Sequence, residues 1–383
     1  MLKICYILNA FAVGGAETVA LNLARKLPSG RFDVHVLSVL EPDPGSWTPM
    51  RLRFKNEGIR TTAMNVGHIR NPLGFLRFFL FLKKHRFDIV HGHNRPSDAW
   101  GVLMGRYAGV PACLWTRHSV YRDMSPKQLR RYQALAAKVP AVLAVSESVR
   151  DNCVSYEGVP ATKVHTFTNG IDTERLAPLG EEAVREARLS LGWAPRDIVL
   201  LFVGRMAEPK APEGFVELVA RLNSRNPIIR GVMCGTGPLK DKIQQLATDS
   251  GVVEMLGVRD DIPRLLGAAD LFVSTSRNEG LPLNVMEAMS VGATIVAPSI
   301  GQVRCLFSGY DALTQGYLPP PPDQGDLPAS LIEQWVEIVE GLLANPDQKV
   351  RMGRQGREAI LKSFSLEQMV KSHVDLYEDI LSS

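Results

Sequence analysis

The chain has 383 residues, of which 45% are hydrophobic and 22% charged, the profile of an ordinary soluble globular protein long enough for two domains that each bury a core. Its five cysteines, Cys5, Cys113, Cys153, Cys234 and Cys305, are scattered and never form a Cys-x-x-Cys pair, which argues against a disulfide framework or a zinc site and favours a reducing interior. The net charge of +4 is uneven: residues 1–180 hold 24 Lys and Arg against 13 Asp and Glu, the remainder 20 against 27.

The N-terminus MLKICYILNA enters a strand directly and lacks the long apolar region and small-residue cleavage site of a signal peptide, so a cytoplasmic protein is expected. Lys3 to Leu8 reads as that strand, Asn9 to Gly15 as a loop, and Ala16 to Leu27 as a helix. Gly14 and Gly15 allow a ligand close to the backbone before a helix N-terminus. The full Gly-x-Gly-x-x-Gly is missing and no acidic residue ends the next strand, so NAD is not expected.

Strand patterns recur at Phe32 to Val39, Arg60 to Met64, Asp88 to His91, Ala112 to Thr116 and Val139 to Val145, with helical stretches between. This alternation predicts a parallel, doubly wound α/β sheet with ligands at the carboxyl ends of its strands. Leu73 to Arg86 is rich in leucine, phenylalanine and cations. It fits either a membrane-facing stripe with Arg77, Lys83, Lys84 and Arg86 at the headgroups or a helix packed on the sheet with a basic outer end. An anionic membrane surface suits the basic first half better than nucleic acid, for which there is no zinc knuckle or basic helix with interleaved aromatics.

His91, His93 and His118 fall at strand ends, where a hydrogen-bonded structural histidine is the alternative to a ligand-binding one. His-x-His invites a metal, yet no third ligand cluster accompanies it, and no metal is expected. Ser146 and Ser148 read as helix caps. Asn169 to Asp172 is a turn, and Pro178, Gly180 and the acidic run to Glu186 place a domain boundary near residue 180.

The second half opens with the strand Ile198 to Val203, then Gly204, Arg205 and Lys210, whose cations could converge on a pyrophosphate or simply decorate the surface. Gly231 to Cys234 is a strand closed by the Gly235 to Pro238 turn. Leu271 to Val273 is another, followed by a loop to Leu281, a helix with Pro282 in its first turn and Asn284 to Met289 beyond, a stop at Gly292, and the strand Ala293 to Ala297. Glu279 and Glu287, with seven residues between them, flank that helix N-terminus. The free amides and dipole suit a phosphate, and the carboxylates suit sugar and ribose hydroxyls on either side, unless both glutamates are merely solvated. Leu331 to Leu343 and Ser365 to Leu381 are amphipathic helices.

Glu279-Gly280-Leu281-Pro282-Leu283-Asn284-Val285-Met286-Glu287-Ala288 resembles the two-glutamate signature of the retaining glycosyltransferases of family 4. Further matches follow in family order: Gly14-Gly15-Ala16-Glu17, the His-x-His of His91 and His93, Thr116-x-His118, Asn169-Gly170-x-Asp172, Gly204-Arg205 with Lys210, Gly235-x-Gly237-Pro238 and Gly257-Val258-Arg259. The resemblance runs nearly end to end. It implies the GT-B fold of two facing Rossmann-like domains with a cleft between them, an acceptor-binding domain over 1–180 and a nucleotide-sugar domain over 181–364, with the helix 365–383 crossing back. Three positions depart from it: Ala211 and Gln302, where glycine is usual, and Cys305 in place of an acidic residue.

By the same resemblance His118, Arg205, Lys210 and Glu279 are the catalytic set. Gly14, Gly15, Gly204, Gly235, Val258, Arg259, Gly280, Leu281, Pro282, Leu283 and Glu287 bind the donor, and His91, His93 and Arg117 lie toward the acceptor. The implied function is transfer of a sugar from a UDP- or GDP-sugar to a glycan or lipid-linked acceptor in surface polysaccharide or glycolipid synthesis, without metal or cofactor. Two other readings stand beside it: a sugar-nucleotide epimerase of the same fold, and a non-catalytic subunit that binds a glycan or protein.

Overall fold

The computed structural model describes residues 1–67 and 71–382; Ser383, the last residue of the expected C-terminal segment, lies outside them. The chain forms two compact units, one made of Met1–Gly170 and the segment from Leu366 onward, the other of Ile171–Ser365.

The first unit has a seven-stranded sheet of β1 (Leu2–Leu8), β2 (Phe32–Ser38), β3 (Arg60–Ala63), β4 (Ile89–His93), β5 (Ala112–Arg117), β6 (Val142–Ala144) and β7 (Val164–Thr166). Its order is β3-β2-β1-β4-β5-β6-β7 and every pairing is parallel. Ile4 to Leu8 are fully buried, as a central parallel strand covered on both faces requires, which explains why β1 reads as an unbroken apolar run. Strand order reverses between β1 and β4, the switch point at which such sheets ordinarily bind ligands, and Asn9 ties the two loops there by donating to Arg95 O at 2.7 Å and accepting from Ser97 N at 3.1 Å.

Helix Pro72–His85 packs on this unit through Gly74, Phe78 and Leu82, while Leu73, Leu76 and Leu80 remain 68%, 50% and 53% exposed. Among the described residues no helix is long and apolar enough to cross a membrane. The last helix, Leu366–Ser382, belongs to the first unit: its Tyr377 hydroxyl meets Tyr6 at 3.2 Å and His91 Nδ1 at 2.7 Å.

The second unit carries β8 (Ile198–Val203), β9 (Ile229–Cys234), β10 (Val253–Gly257), β11 (Leu271–Val273), β12 (Ile295–Pro298) and β13 (Tyr317–Leu318). All are parallel, in the order β10-β9-β8-β11-β12-β13, again with a reversal at the centre, between β8 and β11. Proline and glycine predict a boundary near residue 180, but residues 171–180 lie in the second unit. The Leu176 carbonyl accepts from Ser290 Oγ at 2.8 Å and Arg357 Nη1 at 2.9 Å, and Ile171 pairs with Ser365, so this stretch is fastened rather than loose.

Candidate functional site

In the second unit the predicted residues gather at the carboxyl ends of β8, β9, β10 and β11. Gly235 has φ +134°, and a Cβ there would collide with the Gly204 carbonyl oxygen, so only glycine lets the β9 turn lie against the end of β8. Met206 N donates to Thr236 O at 2.9 Å, and Gly235 N to Gly257 O at 2.7 Å, locking three strand ends together. Arg205 projects from this shelf, exposed, and its guanidinium makes no hydrogen bond or ion pair to the described residues.

Lys210 closes a short 3-10 turn, Glu208–Lys210, and Ala211 follows in the left-handed region at φ 42°, ψ 53°. That conformation accounts for a glycine preference at this position, and Thr275 Oγ1 holds it by donating to Lys210 O at 3.1 Å and Ala211 O at 2.8 Å. The Ala211 methyl is fully buried. Ala211→Gly is expected to change stability by less than about 1 kcal/mol. It relieves about 1–2 kcal/mol of left-handed strain but loses a buried methyl and adds unfolded-state freedom. Urea unfolding checks this, and a loss above about 2 kcal/mol would mean that burial of the methyl outweighs the backbone strain.

Arg277, two residues from Glu279, turns away to Glu213 at 2.9 Å, and the fold instead brings Lys210, 69 residues away, into an ion pair with Glu279 Oε1. Ser276 Oγ donates to the same oxygen at 2.6 Å, and the Glu279 side chain is 9% exposed. Helix Leu283–Ser290 starts one residue later than its sequence predicts: Pro282 is the N-cap, with no side-chain cap. The cap residue itself thus supplies no acceptor to the opening amides; Asn284 Oδ1 accepts from Val285 N at 3.0 Å, and Asn284 Nδ2 ties the helix start to Val203 O at 2.8 Å. Glu287, four residues from Leu283, lies on the same helix face and is half-buried. Ser276 and Asn284 position this site although their sequence pattern alone does not mark them.

Gly257 has φ +67° and turns the chain so that Val258 is exposed. The Arg259 guanidinium is engaged by Asp261 at 2.8 and 2.6 Å, a pairing that lowers the Asp261 pKa, so this stretch offers a ligand mainly its backbone. Gln302, in the place of a usual glycine, is buried with its Oε1 unpartnered.

In the first unit Gly14 is the N-cap of helix Gly15–Lys26, which has no side-chain cap hydrogen bond; Glu17 is buried in its first turn. The histidines form a buried chain. His93 Nδ1 meets His118 Nε2 at 2.9 Å, and the His91 and His93 rings stack at 4.4 Å. Burial lowers the pKa of His91, His93, His118 and His373, and at the first three the closeness of the other imidazoles, with Arg117 beside His118, further opposes protonation, so all four are neutral imidazoles at pH 7.

Two of the residues expected on the acceptor side are enclosed by this geometry. His91 has both ring nitrogens engaged, Nδ1 by Tyr377 and Nε2 by Thr116 Oγ1 at 2.7 Å, and is fully buried. Arg117 is 0% exposed: Asp98 and Glu157 take up its guanidinium, the latter at 2.9 Å, while Tyr132 stacks beneath it and donates to Asp98. Neither reaches the surface. His93 keeps one unpartnered nitrogen, Nε2, and the half-buried His118 ends the chain. Among the described residues no group of three or more His, Cys, Asp or Glu could hold a metal ion.

Residues 13–175 match the family described as Glycosyltransferase Family 4, and residues 184–359 that described as Glycosyl transferases group 1. The UDP-Gal:alpha-D-GlcNAc-diphosphoundecaprenol alpha-1,3-galactosyltransferase of Escherichia coli is 25% identical, covering 99% of this chain and 97% of the relative. The alpha-maltose-1-phosphate synthase of Mycolicibacterium smegmatis is 28% identical over 96% of each. Anabaena HepE in complex with UDP and glucose superposes with a TM-score of 0.83 at 17% identity, covering 99% of this chain and 100% of that one. WaaG, a glycosyltransferase involved in lipopolysaccharide biosynthesis, gives 0.74 at 17% identity, covering 98% and 99%.

Proposed function

The chain belongs to the glycosyltransferases of family 4, with the GT-B fold, and on that premise we propose that it is a retaining, metal-independent enzyme that moves a sugar from a UDP-sugar to a lipid-linked glycan acceptor. The observation that carries the donor half is the grouping of Lys210, Glu279 and unengaged Arg205 beside the uncapped helix N-terminus at Leu283. Cations and amides of that kind stabilise the charge that grows on a departing nucleoside diphosphate.

In this reading the bond from the anomeric carbon to the diphosphate oxygen breaks as the acceptor oxygen bonds to that carbon on the same face. The acceptor's proton passes to the leaving phosphate. Arg205 and Lys210 hold the diphosphate, Glu279 exchanges Lys210 for donor-sugar hydroxyls, and Glu287 accepts from the ribose. His118, a neutral imidazole, offers a hydrogen bond to a sugar hydroxyl. Fixed side-chain cations stand where other enzymes place a metal ion. The acceptor class is supported by the basic first half of the chain and by the Escherichia coli relative, which is named for a UDP-galactose donor and a diphosphoundecaprenol-linked acceptor.

Thermal shift against UDP, GDP, ADP, TDP and their sugars, with and without EDTA, tests the donor half. UDP or a UDP-sugar at 100 times its Kd is expected to stabilise the protein by about 2.7 kcal/mol, with EDTA making no difference and Glu287→Ala abolishing most of the shift. If no nucleotide stabilises the wild type at millimolar concentration, the donor assignment fails and a non-catalytic role takes its place.

A further inference from the structure

The exposed leucines of helix Pro72–His85 continue into an unfilled apolar groove. Leu73, Leu76 and Leu80, at i, i+3 and i+7, form one outward stripe, and exposed Arg77, Lys83 and Lys84 lie beside it. The same helix borders a cavity of about 340 Å³, lined by Pro72, Phe75, Trp100, Leu103, Met104 and Leu135 together with Arg131. The Phe75 and Trp100 rings of this lining meet edge to face at 5.3 Å. Arg131 comes from helix Pro126–Ala136, whose Lys127 and Arg130 are also exposed.

Both banks of the groove thus carry cations while its floor is hydrocarbon. A protein interface core is ordinarily depleted of lysine, and an open apolar groove rimmed by positive charge matches a lipid, whose chain is apolar and whose headgroup is anionic. We propose that this face docks on an anionic bilayer, with the leucine stripe in the headgroup boundary and one hydrocarbon chain in the groove beside Trp100. The inference deepens the lipid-linked acceptor reading, since a surface that sits on the bilayer brings the first unit to where such an acceptor resides.

Sedimentation of the full chain with vesicles of phosphatidylcholine alone and of phosphatidylcholine with phosphatidylglycerol, without donor, tests it. Binding to the anionic vesicles alone is expected, reduced at least tenfold by Leu76→Ser/Leu80→Ser and weakened by salt and by Lys83→Glu/Lys84→Glu. Lipids brominated in mid-chain should quench tryptophan emission, and Trp100→Phe should remove that quenching. A wild type that stays in the supernatant, or binding unchanged in the leucine double variant, overturns the docking face; binding without Trp100 quenching overturns the occupied groove. Because both leucines are exposed, the variant keeps the wild-type Tm. A normal nucleotide shift in a protein that ignores vesicles separates failure of this inference from failure of the donor site.

Discussion

Lys210→Ala is expected to lower kcat by about 10²–10³-fold with a much smaller change in KM, the magnitude typical of removing one group that meets charge developing in a transition state. The alternative role for Lys210 is visible in the structure, because its ammonium already neutralises the nearly buried Glu279. The two roles separate in a double-mutant cycle. If Lys210 serves only to balance Glu279, its removal in a Glu279→Gln background has little further effect on kcat. If it meets the diphosphate, the full fall persists there. Steady-state kinetics on four proteins, with Tm measured alongside, decides between them.

Arg117→Ala is expected to be the most damaging change outside the donor site, destabilising by about 3–5 kcal/mol because it strands Asp98 and Glu157 as buried carboxylates. Both partners are as inaccessible as the guanidinium they share, so water cannot take its place. For a unit of this size about 2–4 °C is lost per kcal/mol, so a drop of roughly 10 °C in Tm follows, read by calorimetry. Arg95→Ala provides the contrast. Its ion-pair partner Asp123 is largely exposed, and losing that pair alone should cost under about 1 kcal/mol. An Arg117→Ala loss below about 1 kcal/mol would show that the two acids relax to solvent.

Arg117 also shows where reading a sequence stops. A cation at a strand end resembles a ligand-binding group, and nothing local reveals that Asp98 and Glu157, 19 and 40 residues away, close around it. The Lys210 to Glu279 pair is hidden for the same reason. What is legible is what local pattern dictates. Apolar runs announce β1, β8 and β11, and Pro282 with Gly292 brackets the helix Leu283–Ser290 to within a residue. Short strands without an apolar run of their own, such as β7 (Val-His-Thr) and β13 (Tyr-Leu), carry too little pattern to stand out and are defined by their neighbours in the sheet. Ala211 is legible in the sequence only as a departure; its left-handed backbone gives the departure a physical meaning.

Helix Leu366–Ser382 has a bearing on how the molecule is made. Tyr377 supplies the partner for the buried hydroxyl of Tyr6 and for His91 Nδ1, so the unit that begins the chain stays incomplete until residue 377 has left the ribosome. The contiguous unit from Ile171 to Ser365 is synthesised whole before then. Vectorial synthesis, which ordinarily finishes N-terminal domains first, here releases the later unit to fold while the earlier one waits with its sheet only partly covered, a period in which it depends on chaperones or on speed.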